Sequence, residues 1–237
     1  MLPSDLRQAE SQAEEALRLA LASSARGRWL VELRFEGLKT LPLALRLAAS
    51  LEAKGIDLRL MFPDAGATAL ARRDSPPLAS RVTSLGDERR RWDAGEGAEV
   101  AGGGESAPLW LLVAPAPADY ELVESLCEGH QGSVALLNPT LEDAAIGIGS
   151  VARARRKGFL AQWQSAYALR PFPDSALRRA YPADWELYRL DPDGFRLAAR
   201  FPEQPSSEEQ ATALGEAPGG LSRQLRDLGT LIDDLRG

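Results

Sequence analysis

The stretch Trp29-Leu30-Val31-Glu32-Leu33-Arg34-Phe35, the leucine-rich run 38–53 and the stretch Ile56-Asp57-Leu58-Arg59-Leu60-Met61-Phe62 together decide the fold. The first and last are short, mostly apolar runs of strand length. Between them Leu38, Leu41 and Leu45 form one stripe at helical spacing, and Leu43, Leu47 and Leu51 form another. A helix with apolar surface on two sides packs between a sheet and something else. Lys54-Gly55 ends that helix. Strand, helix and strand in this order make a βαβ unit, whose strands pair in parallel through a right-handed crossover. Glu32 and Arg34 interrupt the first strand and mark a face or an end that is not wholly apolar.

Working outward, residues 4–24 read as a helix capped by Ser4 or Asp5, with Leu6, Ala9, Ala13, Leu17 and Ala20 on its apolar side. Pro63-Asp64-Ala65-Gly66 turns the chain into a short helix, and residues 81–85 read as a short strand. The run Pro108-Leu109-Trp110-Leu111-Leu112-Val113-Ala114 is continuously apolar, as expected of a central parallel strand. A helix over 119–129 follows, then a buried strand over 133–137 ending at Asn138-Pro139, then a long helix to about residue 164. Trp185–Leu190 and Phe195–Phe201 flank the turn Asp191-Pro192-Asp193-Gly194, which predicts an antiparallel hairpin. Helical segments at 206–214 and 221–235 close the chain; Leu221, Leu225, Leu228, Ile232 and Leu235 form a stripe suited to docking on the body or on a partner. The expected fold is α/β: a mostly parallel, Rossmann-like sheet flanked by helices, with a C-terminal antiparallel hairpin and terminal helices. Residues 1–202 form the α/β domain, with a flexible glycine-rich loop near 86–107, and residues 203–237 form a helical extension.

Composition narrows the function classes. The net charge of −6 opposes nonspecific nucleic-acid binding, which relies on neutralising backbone phosphates. A local basic patch can still hold an anionic small molecule. One cysteine, Cys127, and one histidine, His130, leave no disulfide and no Cys/His metal cluster. Cys127 falls in the apolar pattern of its helix and reads as a core residue. The N-terminal residues lack the basic start and apolar run of a signal peptide, and the longest apolar stretch, 109–118, is about half a membrane span. A soluble, cytoplasmic protein is expected. No cofactor is assigned.

Ligands on open parallel sheets bind beyond the carboxyl ends of the strands, where loops and helix N-termini converge. Two residues at those ends stand out. Asp64 is placed to cap the following helix or to contact a ligand, and Asn138 to stop its strand with an Asx turn or to contact a ligand. The segment 147–157 joins Gly147 and Gly149 to Arg153, Arg156 and Lys157. Glycines allow close backbone approach to an anion, and arginines add charge-assisted contacts. The segment is neither a Walker loop nor a dinucleotide fingerprint in its usual place. Tyr167 and Arg170, in Tyr167-Ala168-Leu169-Arg170-Pro171-Phe172, and Trp185, after Tyr181-Pro182-Ala183-Asp184, read as aromatic and basic residues in two proline-containing loops that either stack on a ligand or plug the core. No paired carboxylates, catalytic triad or G-x-S-x-G elbow is present, so the reading leans away from an enzyme.

Taken together, Phe62-Pro63-Asp64-Ala65-Gly66, Leu137-Asn138-Pro139, the run 153–159, Tyr167-Ala168-Leu169-Arg170-Pro171 and Tyr181-Pro182-Ala183-Asp184-Trp185 resemble an uncharacterised domain family of cyanobacteria and plastids. The resemblance covers about residues 2–202. One plant branch of that family is associated with photosystem II accumulation and assembly, and another occurrence is fused to adenylate-kinase-like domains. The resemblance therefore implies a non-catalytic accessory or assembly factor in photosynthesis, with a photosynthetic complex or thylakoid-associated protein as partner and a place in the cytoplasm or peripheral to thylakoid membranes. It also allows a small-molecule-binding domain or enzyme acting on a nucleotide or phosphorylated ligand. Asp64, Asn138, Arg153, Arg156, Tyr167, Arg170 and Trp185 are the signature positions it carries over.

Overall fold

The computed structural model describes residues 1–95, 107–145, 155 and 157–215. Its strands are β1 Arg28–Leu33, β2 Leu58–Phe62, β3 Val82–Ser84, β4 Leu109–Val113, β5 Val134–Leu137, β6 Gln164–Pro171, β7 Ser175–Ala180, β8 Trp185–Asp191 and β9 Gly194–Phe201. Its helices are α1 Leu6–Ser23, α2 Thr40–Ala53, α3 Ala65–Asp74, α4 Leu85–Asp93, α5 Tyr120–Gly129 and α6 Ser207–Ala213. All the strands join one nine-stranded sheet of order β3-β2-β4-β5-β1-β6-β7-β8-β9. Pairing is parallel from β3 to β6 and antiparallel from β6 to β9. The βαβ unit read from the sequence is present, with β4 and β5 inserted between its two strands.

Side-chain alternation explains the layers. Trp29, Val31 and Leu33 of β1 pack in one cluster with Leu17 of α1, Leu51 of α2 and Ala71 of α3. On the opposite face Met61, Trp110, Leu112 and Leu136 meet Leu85 of α4 and Val123 and Leu126 of α5. The strands between are covered on both sides, which is why β4 is apolar and buried at every position. Beyond β6 the α5 face changes its cover: Ala168, Leu177, Trp185 and Leu187 pack beneath Ala213 and Leu214, at the end of α6.

Three segments differ from the sequence reading. The beginning of the stretch expected to be a loop, 86–107, is the helix α4. Ser84 caps it by accepting from the Asp87 N–H at 3.0 Å, and the buried Glu88 takes Arg59 at 2.6 Å and Arg91 at 3.2 Å. A run of charges thus becomes helical because its one inward carboxylate is neutralised. Residues 96–106 of that stretch lie outside the described residues, as does the segment 221–235. Tyr167 to Pro171 is strand β6 rather than loop, and residue 164 starts that strand rather than ending a helix. Residues 175–180 form β7, so the expected hairpin is the outer part of a longer antiparallel run. Among the described residues no helix is long and apolar enough to cross a membrane.

Candidate functional site

The strands β5, β1 and β6 are neighbours, so their carboxyl ends bring Asn138, Glu32, Arg34 and Arg170 together. Glu32 alternates with Val31 and Leu33 and therefore projects onto the α5 face. It is fully buried. Arg34 donates to one of its carboxylate oxygens at 2.9 Å, and Arg170 donates to the other at 2.5 Å. Arg34 also donates to the Pro139 carbonyl at 2.8 Å, tying the β5 exit to the same group. A buried carboxylate is tolerated only when paired in this way.

Asn138 has a positive φ of 49°, and its backbone N–H donates to the Val31 carbonyl at 2.9 Å. Its side-chain Oδ1 accepts the Leu33 N–H at 2.7 Å. The amide thus bridges to the next strand instead of closing a turn onto its own backbone, one of the two roles expected of it. Ala114, at the end of β4, also has a positive φ, 47°, a conformation that costs an alanine about 1–2 kcal/mol. Glu142 follows at the rim. It keeps an exposed edge, yet desolvation and then the charge of Glu32 hold its carboxyl above the usual range.

Trp185 of β8 lies on the same face. The Arg170 guanidinium is 5.8 Å from its ring centre and that of Arg179 is 6.0 Å away. Arg170 is spent on Glu32. The Arg179 Nε–H is buried without an acceptor, and burial pulls its pKa below the ordinary arginine value.

A family model described as a domain of unknown function, DUF1995, matches residues 3–212. The chain belongs to the DUF1995 family. No curated protein matches the chain. The DUF1995 match runs through every strand of the sheet and into α6, and every site residue named above lies within it.

The sequence-derived candidates separate in space. In this DUF1995 chain Arg170 joins Glu32 to the Trp185 ring, while Asn138 stands at the end of β5, beside β1 and four strands from β8. Asp64 caps α3, its Oδ1 accepting the Ala67 N–H at 2.8 Å. It stands at the end of β2, four strands from β6 and about 19 Å away at the usual strand spacing. Tyr167 points to the α1 face, where its hydroxyl donates to Gln12 Oε1 at 3.3 Å and burial pushes its pKa up to about 12. Gly147, Gly149, Arg153 and Arg156 lie outside the described residues. Arg155, between them, sits over the Tyr120 ring at 4.5 Å and pairs with Glu121 at 3.3 Å.

Cys127 and His130 sit at the amino ends of the strands, away from this site. His130 stacks on Trp110 with ring centres 3.9 Å apart, and its Nε2 is 3.0 Å from the Pro108 carbonyl. Burial drives its pKa down to about 4, and burial drives the Cys127 thiol up to about 12. Neither is a ready acid, base or nucleophile at neutral pH. Among the described residues no group of acids, histidine and cysteine is arranged to hold a metal ion.

The sequence reading missed Glu32, Glu142 and Arg179 as members of the site. The charged pair Glu32 and Arg34 inside an otherwise apolar strand was the available signal for the first. Arg179 gave none, because a strand was not expected there.

Proposed function

We propose that this DUF1995 protein is a non-catalytic accessory or assembly factor in photosynthesis that recognises a partner through the face around Arg34, Asn138, Glu142 and Trp185. The observation that carries the non-catalytic part is the pairing of Glu32: both of its oxygens accept hydrogen bonds from arginines, which ties up the deepest carboxylate of the site. A general base needs a free lone pair within reach of a substrate proton. The family resemblance supplies the photosynthetic setting, with the protein in the cytoplasm or peripheral to thylakoid membranes. The test is affinity isolation of the full chain from a photosynthetic extract, with pigment–protein complexes quantified by absorbance. The wild type enriches a photosynthetic complex, and Glu142→Ala, at an exposed position, loses it while melting normally. Absence of any such complex from the wild-type isolate would overturn the reading.

One observation favours a second reading, a small-molecule-binding domain or an enzyme acting on a nucleotide or phosphorylated ligand. Arg179 has an orphaned Nε–H beside an indole ring, an arrangement that suits a planar anionic ligand. A ligand at a hundred times its Kd adds about 2.7 kcal/mol of apparent stability. A raised melting temperature with nucleotides or sugar phosphates, abolished by Arg179→Gln, is the outcome of this reading.

A further inference from the structure

The opposite face of the sheet carries a feature that the proposed function does not use. Between the N-terminal strap 2–6, the β1–α2 turn and the ends of β6, β7 and β9 lies a cleft of about 660 Å³. Its walls include Leu6, Phe35, Leu38, Pro42, Leu169 and Phe195. Leu169 belongs to the α1-side core, so the cleft opens on that side and is separated by the sheet from Glu32 and Trp185. Leu6 is 38 % exposed and Phe195 46 %, although both are large apolar side chains beside a concave surface. Clefts of roughly 300–1,000 Å³ with mainly apolar walls are the usual size and character of small-molecule sites.

The polar groups around the cleft are unevenly committed. Asp5 caps α1 by accepting the Gln8 N–H at 2.8 Å, and Arg46 is held by both oxygens of Glu10 at 2.9 and 2.5 Å. Glu36 and Lys39 remain, both exposed on the β1–α2 turn, which Gly37 makes tight with a φ of 73°. Lys39 precedes α2, whose first turn has no side-chain cap and no acidic residue. The positive end of the cleft is therefore Lys39, reinforced by the start of a 14-residue helix. Glu36 on the same turn offsets part of that charge and disfavours a dianion.

We propose that this cleft binds a long-chain carboxylate monoanion, with its hydrocarbon chain against Phe35, Leu38 and Phe195 and its carboxylate at Lys39. The site is independent of the partner face proposed above. Two exposed side chains make the test safe for the fold: Phe195→Asp places a charge in the apolar wall, and Lys39→Glu reverses the head-group end.

The experiment is calorimetric titration of the full chain with dodecanoate below its micellar concentration, with dodecanol and phosphatidylcholine vesicles as comparison arms. The expected result is one-to-one dodecanoate binding with a negative heat-capacity change, the mark of buried apolar surface. Phe195→Asp should weaken it at least tenfold. Lys39→Glu should weaken dodecanoate about five- to tenfold and leave dodecanol unchanged. No binding of dodecanoate overturns the proposal, whether the cleft is open or filled by another part of the chain or a second copy. Undiminished binding in Phe195→Asp, or binding to vesicles without binding of monomeric dodecanoate, overturns it equally.

Discussion

The parallel half of the sheet, β3 to β6, and the antiparallel wing, β7 to β9, are built on different economies. In the parallel half every residue of β4 and β5 is buried, and helices lie on both faces. In the wing β9 is mostly exposed, leaving Phe195 and Leu197 open to solvent. Its inner charges are instead matched locally: Arg178 donates to Glu186 at 2.7 Å, and the Tyr188 hydroxyl donates to the same oxygen at 2.8 Å. The difference teaches that the two-sided core belongs to the parallel half, while the wing keeps a smaller buried cluster under β7 and β8 and ends in the surface strand β9. The candidate site sits on the seam, where β6 pairs with β1 on one side and β7 on the other.

Substitutions on the two sides should therefore differ sharply in cost. Trp110→Ala removes a buried indole that packs edge-on against Trp92 at 6.0 Å and stacks on His130, and should cost about 3–5 kcal/mol in chemical denaturation. A cost below about 1 kcal/mol would break the comparison at its strong end.

Acid should also strike the parallel half early. His130 has a folded pKa of about 4 against 6.5 for the free side chain. Between those values the unfolded chain binds a proton that the native one refuses, so stability is full above pH 6.5 and falls as the pH drops toward 4. The loss is about 3 kcal/mol across that window. Glu14 and Glu186, whose carboxyls are held below their ordinary values despite desolvation by their hydrogen-bond and charge partners, add to the loss at lower pH. In denaturation curves recorded from pH 7 to 4, His130→Phe should flatten the upper part of the slope, and an unchanged slope would show that another group governs it.

At the seam, Glu32→Gln should cost about 1.5–3 kcal/mol, because two arginines lose their shared charge. The smallest effect belongs to the wing: Leu197→Ser should stay within about 0.5 kcal/mol of wild type. A larger loss there, read from the same denaturation curves, would mean that Leu197 is covered in solution.

Legibility followed the same division. Strands β4 and β5 could be read from the sequence because burial on both faces requires unbroken apolar runs, and β1 and β2 because their mostly apolar runs flank a leucine-rich helix. The outer hairpin could be read from its Pro/Asp/Gly turn. Strand β6 was missed because Ala166 and Ala168 blur its alternation with Tyr167 and Leu169, and alanine is as much at home in a helix. Strand β7 was missed because Arg178 and Arg179 stand adjacent in it and point to opposite faces, one toward Gln12 and Glu186, the other toward Trp185. The site was half legible for that reason: Asn138, Arg170 and Trp185 were visible as residue types, but the buried carboxylate that holds Arg170 required knowing that β1 and β6 are neighbours.

The most direct test of a partner-binding role is affinity isolation of the full chain from a photosynthetic extract, run beside the Glu142→Ala variant. A photosynthetic complex is expected to be enriched with the wild type and lost with Glu142→Ala, which remains folded by melting temperature. Equal recovery by both proteins, or recovery by neither, would contradict a partner-binding role for the face around Arg34 and Glu142.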